Sequence, residues 1–343
     1  MWGIDNRTPY AASSSWIRDS NGAEVWVVAV KATYNFLPDG QVVLSEIQHP
    51  LYSGPVMHSA GKSLLYDNEV GASKPFTDVI LNGSAWSPTD SASPEFSIGL
   101  RIDNNVKLAR VYGERVWEGR GYSAPEPTER VELLYENMVC GPEYASGYAN
   151  PVGVNLSTER LESLSRLPSI EMLGQSDTDI RGFGALASHW PDRVCYAGTY
   201  DNHWSLQRAP LLPEDFNPLY WQLLPETDKK KARQLKGGEL VTLAGVTPKT
   251  FSESRLISFF LPKVSLLFRT RFFDGSIQEH RAKLHTVTIE PDRNQIMMVW
   301  HTTLSCHRKV NQLAEVLIKE KKWLTPVRVA QGKSFPEWEA TLQ

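Results

Sequence analysis

The first residues in this chain that could do chemistry lie in one stretch. From Trp190 to Asn217 it reads W-P-D-R-V-C-Y-A-G-T-Y-D-N-H-W-S-L-Q-R-A-P-L-L-P-E-D-F-N. Asp201, Glu214 and Asp215 are close together in sequence, although a carboxylate pair of the kind that glycoside hydrolysis uses is set by the fold and cannot be read from sequence. Turn and cap roles explain the same acids more simply, because short polar side chains bond nearby backbone. Cys195 stands beside Tyr196 in an apolar run, which predicts a buried, inert thiol. The eight histidines are His49, His58, His189, His203, His280, His285, His301 and His307. They form no H-E-x-x-H and no compact set; His301 and His307 are left as a pair that only the fold could bring together. No phosphate-binding G-x-x-x-x-G-K-[ST], no G-x-G-x-x-G and no G-x-S-x-G elbow occurs. The sequence therefore predicts no catalytic residue, no metal and no cofactor.

What the stretch does contain is shape. Its organisers are Trp190, Arg193, Gly198, Thr199, Tyr200, Asp201, Trp204, Pro213, Asp215 and Phe216. Gly198 and Asp201-Asn202 are turn chemistry. Pro210 and Pro213 exclude helix interior and central strand. Trp190, Tyr200, Trp204 and Phe216 carry large apolar faces for burial or binding. Arg193 is expected to pair with Asp201 or Asp215 as a buried, bidentate bridge. Two roles stay open: a shaped loop that pins a core, or a recognition platform. The first is preferred, with direct partner contact expected elsewhere, on a sheet edge or the basic last fifth of the chain.

The elements that must position this stretch read mainly as strands. Ala23–Ile47 is a hairpin turning at Leu37-Pro38-Asp39-Gly40. Trp26, Val28, Val30, Ala32, Tyr34 and Phe36 share one face at period two. The other face turns from Val25, Val27 and Ala29 to Lys31, Thr33 and Asn35, which predicts exposure at that end. An extended run between Pro75 and Pro88 carries a bulge or turn at Asn82-Gly83. Glu95–Ile102 and Val106–Val111 pair across Asp103-Asn104-Asn105, and Arg130–Tyr135 is a further short strand. Later strands are Glu239–Leu243, Leu256–Leu261, Val264–Phe272, His285–Ile289 and Gln295–Leu304. Pro225–Gly237 is the one short helix expected, capped by Thr227 or Asp228. Val310–Ile318 fits either helix or strand, with strand preferred. The fold class is mainly β: sandwich-like sheets with long irregular loops and one or two short helices. The loose stretch after residue 140 divides the chain into an N-terminal β region, 1–140, and a C-terminal one, 141–343, unless 1–343 is continuous.

Composition bounds the setting. The 343 residues, 41% hydrophobic and 22% charged, describe a globular chain with a sizeable core. Three scattered cysteines, Cys140, Cys195 and Cys306, give neither a disulfide framework nor a zinc site. No secretory signal follows Met1, and the longest apolar runs are strand-sized, so no membrane insertion is expected and a cytoplasmic location is. The net charge is −3, yet Lys263–Lys333 holds 13 Lys/Arg against 6 Asp/Glu. That basic bias reads as a solvated face before it reads as a binding surface.

Eight motifs then occur in one order. They are K-P-F-T-D-V-I-L-N-G-S-A-W-S-P (Lys74–Pro88), V-x-G-E-R-V-W (Val111–Trp117), N-P-V-G (Asn150–Gly153) and L-P-S-I-E (Leu167–Glu171). They continue with G-F-G (Gly182–Gly184), W-P-D-R (Trp190–Arg193), G-T-Y-D-x-x-W (Gly198–Trp204) and L-P-E-D-F (Leu212–Phe216). In this the chain resembles the bacterial family called domain of unknown function 2169, over about residues 70–305. The resemblance implies a cytoplasmic, non-enzymatic adaptor or chaperone for type VI secretion effectors. Its expected partners are a secreted toxin and a PAAR-type or spike protein, with no nucleic acid. Two places depart from the family pattern. Asn137-Met138-Val139-Cys140-Gly141-Pro142 replaces a basic residue with a double glycine, and Leu284-His285-Thr286 replaces L-D-T. A different class, a carbohydrate-active or sugar-binding β-sandwich, is kept because of the 11 tryptophans and the acids around Asp201 and Asp215.

Overall fold

The computed structural model describes residues 2–59, 63–89, 91–139, 166–174, 181–307 and 309–321. Cys140, Asn150–Gly153 and the basic residues from Lys322 to Lys333 lie outside the described residues. The chain begins with β1 (Gly3–Asn6), β2 (Ala11–Arg18), β3 (Glu24–Phe36), β4 (Val42–Leu44), β5 (Val56–Met57) and β6 (Leu64–Tyr66). Then come β7 (Asp78–Leu81), β8 (Ser84–Trp86), β9 (Glu95–Ile102), β10 (Asn105–Tyr112), β11 (Arg130–Glu132) and β12 (Ile170–Met172). Three short helices follow, α1 (Pro191–Val194), α2 (Asn202–Gln207) and α3 (Glu226–Lys229). The chain returns to strand in β13 (Leu240–Ala244), β14 (Leu256–Phe260), β15 (Leu266–Phe272) and β16 (Ile277–Arg281). It closes with β17 (Lys283–Glu290), β18 (Gln295–Ser305) and β19 (Leu313–Glu320).

The protein is mainly β, as its sequence predicts. The largest sheet runs β2-β3-β18-β17-β7, with β4 joined to β3. A five-stranded sheet runs β12-β10-β9-β13-β14, and a four-stranded one β1-β19-β15-β16. Strands from both ends of the chain meet directly. β3 pairs antiparallel with β18 along its length, and β1 lies parallel to β19. The period-two face of β3 is buried throughout, and Phe36 stacks on Phe259 of β14 at 5.2 Å. The core therefore lies between the inner faces of the large and five-stranded sheets. Full burial of each such side chain contributes about 1.5–3 kcal/mol.

Four expectations need correction. Lys31 and Thr33 are wholly buried rather than exposed, because His49, Pro50 and Glu69 lie over that face. The helix expected over Pro225–Gly237 is a single turn, α3, with Pro225 at its N-cap and no side-chain cap from Thr227 or Asp228. Beyond it the chain stays extended, so that Leu235 N–H donates to Thr77 Oγ1 and Thr77 N–H to the Arg233 carbonyl. Cys195 is no buried strand residue; it caps the end of α1 and is exposed. Burial of part of the thiol still pushes its pKa up, which keeps it a weak nucleophile. The fourth correction, the partner of Arg193, belongs to the site. Val310–Ile318 resolves into a 3-10 turn, Val310–Gln312, followed by strand β19.

Candidate functional site

The signature stretch divides into a buried foot and an exposed arm. At the foot, Trp190 is 1% exposed and meets the Tyr135 ring edge-on at 4.9 Å. Tyr135 donates its hydroxyl to the Gly184 carbonyl at 2.9 Å. Gly182 is required beside it, since a Cβ there would stand 2.6 Å from the Tyr135 ring. Pro191 opens α1 at a position where no N–H is needed. Arg193, also buried, donates Nη1–H to the Leu186 carbonyl and to Asp67 Oδ2, both at 2.8 Å. Its Nε–H goes to the Tyr220 carbonyl at 2.9 Å. The bridge to Asp201 or Asp215 does not form. Asp67, 126 residues away, takes that role.

The arm is braced from within. Gly198 adopts φ +80°, and a Cβ there would meet Pro213 Cβ and Asp215 Oδ1 at 2.8 Å. Asp215 accepts the Thr199 N–H at 2.9 Å and the Thr199 hydroxyl at 2.7 Å. These two hydrogen bonds hold the Asp215 carboxyl below its ordinary pKa. Asp201 is the N-cap of α2 and accepts the Trp204 N–H at 2.8 Å. Trp204 donates its indole N–H to the Leu211 carbonyl at 2.8 Å and receives the edge of Tyr200 at 4.7 Å. Phe216 packs against Tyr220 and Trp221. Each predicted residue is thus in contact with another part of the same loop, except Trp190 and Arg193, which reach into the core. The acids carry no shared chemistry: Asp201 caps, Asp215 holds a turn, and Glu214 lies on the surface near Arg208.

Beside the foot lies a layer of buried polar side chains that sequence reasoning missed. Lys31 Nζ donates to both Glu69 carboxylate oxygens at 2.9 Å and sits 4.3 Å above the Tyr52 ring. Burial pushes the Lys31 pKa down and the Glu69 pKa up, and their mutual attraction opposes both shifts. Lys74 and Asp78 pair at 2.7 Å, and Asp78 also accepts Gln222 Nε2–H at 2.7 Å and the Leu223 N–H at 3.1 Å. His285 and His301 stack at 4.2 Å, and His301 Nε2 bonds the Glu69 carbonyl at 2.8 Å. Burial pushes His301 down to about 4 and His285 well below its ordinary value. The one available signal was Lys31 itself, a charge inside a valine-rich strand. Among the described residues no group of His, Cys, Asp and Glu could hold a metal ion.

These contacts join the sequence motifs to one another. Asp78 of K-P-F-T-D holds Gln222 and Leu223, just beyond the signature. Arg115 of V-x-G-E-R-V-W donates to the Pro168 carbonyl at 3.1 Å and pairs with Glu171, both in L-P-S-I-E. A family model described as an uncharacterized protein conserved in bacteria (DUF2169) matches residues 21–301. The chain belongs to this family. No curated protein and no solved structure matches it. The DUF2169 match runs from the turn before β3 into β18 and so contains the foot, the arm and the buried layer.

Proposed function

We propose that this DUF2169 protein is a cytoplasmic, non-enzymatic adaptor. It binds a type VI secretion effector, linked to a PAAR-type tip protein, and promotes the toxin's stability and loading onto the spike. The motif series carries the family half of this reading. The observation that supports the binding half is the division of labour in the arm. The polar groups of Thr199, Asp201, Trp204 and Asp215 bond within the loop, while Tyr200 is exposed and Leu206 is 85% exposed at its tip. A braced loop that presents apolar side chains to water suits recognition, because little further ordering is needed on binding. Among the described residues no helix is long and apolar enough to cross a membrane.

The sugar-binding alternative relied on tryptophan faces beside the acids. Trp190 is in the core and Trp204 is half-buried, each with its ring against a tyrosine. The deciding experiment is co-expression with the products of the neighbouring genes and with a spike protein, alongside deletion of this gene. Co-purification and loss of toxin secretion on deletion support the adaptor. Absence of binding to both, with secretion intact after deletion, overturns it.

A further inference from the structure

The outer face of the five-stranded sheet carries a feature that neither the motifs nor the adaptor reading uses. Inner residues of β9, β10, β13 and β14 enter the core, and their outward neighbours face water. One line of register crosses all five strands. Leu173, just past β12, hydrogen-bonds Leu108; Leu108 lies opposite Gly99, Gly99 opposite Ala244, and Ala244 opposite Leu256. Leu108 leans over Gly99, so the row is apolar without a gap. Val106 widens it at β10, Thr242 and Ser258 border it at β13 and β14, and Leu173 and Leu256 are each more than half exposed. Four strand spacings make the row about 19 Å long. Surfaces of this kind mark interaction sites when they are contiguous and rimmed by charge.

The rim is basic. Arg110 stands one register step to one side of the row and Arg101 one step to the other. Both are exposed, and neither has a carboxylate partner among the described residues. Where the row passes Leu173 it opens into a hollow of about 290 Å³ lined by Lys230 and Lys231 and by Asp228, whose charge is met by Lys107. Glu171 stands opposite Arg110 across β10 and β12 and is itself paired with Arg115.

The form of the occupant follows from the backbone. Each strand bonds its neighbours within the sheet, and only the outer edges of β12 and β14 are unpaired there, so the flat of this face offers side chains and no free backbone donors. A segment seated on it must satisfy its own N–H and C=O groups, as a helix does. About 13 helical residues span the row at 1.5 Å each. We propose that this face docks an amphipathic helix of a partner protein, one whose apolar stripe is flanked on both sides by carboxylates. The assignment holds whether or not that partner is a secreted toxin.

The test uses the full chain and a labelled helical peptide of about 18 residues with a leucine stripe at i, i+3, i+4 and i+7 and glutamate flanks. A second peptide carries lysine in place of each glutamate. Fluorescence anisotropy should show the acidic peptide binding at least about tenfold more tightly than the basic one. R101E/R110E should remove that preference, and L256E should weaken binding of the acidic peptide by about tenfold, with thermal melting unchanged for both. Equal binding of the two peptides, no binding of the acidic one, or indifference to R101E/R110E overturns the proposal. A concentration-dependent dimer that L256E dissolves also overturns it, by giving the face to a second copy.

Discussion

The buried foot with its neighbouring polar layer and the exposed arm are both dense in charges and rings, yet they draw their partners from different distances. Lys31 meets Glu69, Asp67 meets Arg193, and Asp78 meets Gln222 across 38, 126 and 144 residues. In the arm, Asp201 meets Trp204 three residues on, and Thr199 meets Asp215 sixteen on. The layer therefore ties remote segments to the central sheet, and its groups have no water to replace a lost partner. The arm ties mainly itself, with one remote link from Arg208 Nη2–H to the Ser20 carbonyl, and its polar groups are solvated. Equal numbers of polar contacts can thus differ widely in their hold on the fold.

The sharpest test removes one member of a buried pair. Lys31→Ala leaves Glu69 buried without its cation, and Arg193→Ala leaves three acceptors short of a donor. Each should cost about 3–5 kcal/mol in urea unfolding. Arg193→Lys should recover little, because an ammonium cannot reproduce the forked contacts to Leu186, Asp67 and Tyr220. Lys31→Met with Glu69→Leu should regain much of the loss from Lys31→Ala, since the cost lies in the unpaired charge. If Lys31→Ala proves no more harmful than a surface change, the contrast between the two regions fails.

Acid probes the same layer. His301 is held down to about 4 by burial, whereas an unfolded histidine titrates near 6.5. The unfolded chain takes up the proton first, so the stability from this group is complete above about pH 6.5 and declines as pH falls toward 4. His301 alone should account for a loss of about 3 kcal/mol across that window. His280, also held down to about 4, adds to the fall from a site on β16. Urea midpoints between pH 7 and 4 should therefore drop less steeply in His301→Gln than in the parent. Equal slopes would show that burial does not lower the affinity of His301 for its proton in the fold.

The sequence was most readable where one periodicity decided the structure. The faces of β3 and β9 follow from alternate apolar residues, and the β9–β10 hairpin from Asp103-Asn104. β16 escaped notice because Ile277-Gln278-Glu279-His280-Arg281 is polar on both sides, as suits a strand at a sheet edge. The helix over Pro225–Gly237 was overestimated because Ala232–Leu235 had to extend toward Thr77, and tertiary bonding overrode local propensity. In the signature, local roles such as the Asp201 cap were visible because both partners lie in one turn. The Arg193–Asp67 pair was not, since nothing near Arg193 in sequence points 126 residues back.

The smallest effects separate bracing from recognition within the arm. Asp201→Ala removes a cap from a short exposed helix and should cost about 1 kcal/mol, well below either buried-layer change. Leu206→Ser removes no contact with the core, because that side chain is 85% exposed, and stability should stay within about 0.5 kcal/mol. Its consequence should appear only in partner binding, measured by co-purification with the effector that the adaptor proposal calls for. A fall in stability for Leu206→Ser would mean that the tip packs onto the protein in solution and is not held out for a partner. Unchanged stability with unchanged binding would leave the arm as internal bracing alone. Lost binding at full stability would show that the same loop which needs Asp201 and Asp215 for its shape uses Leu206 for contact.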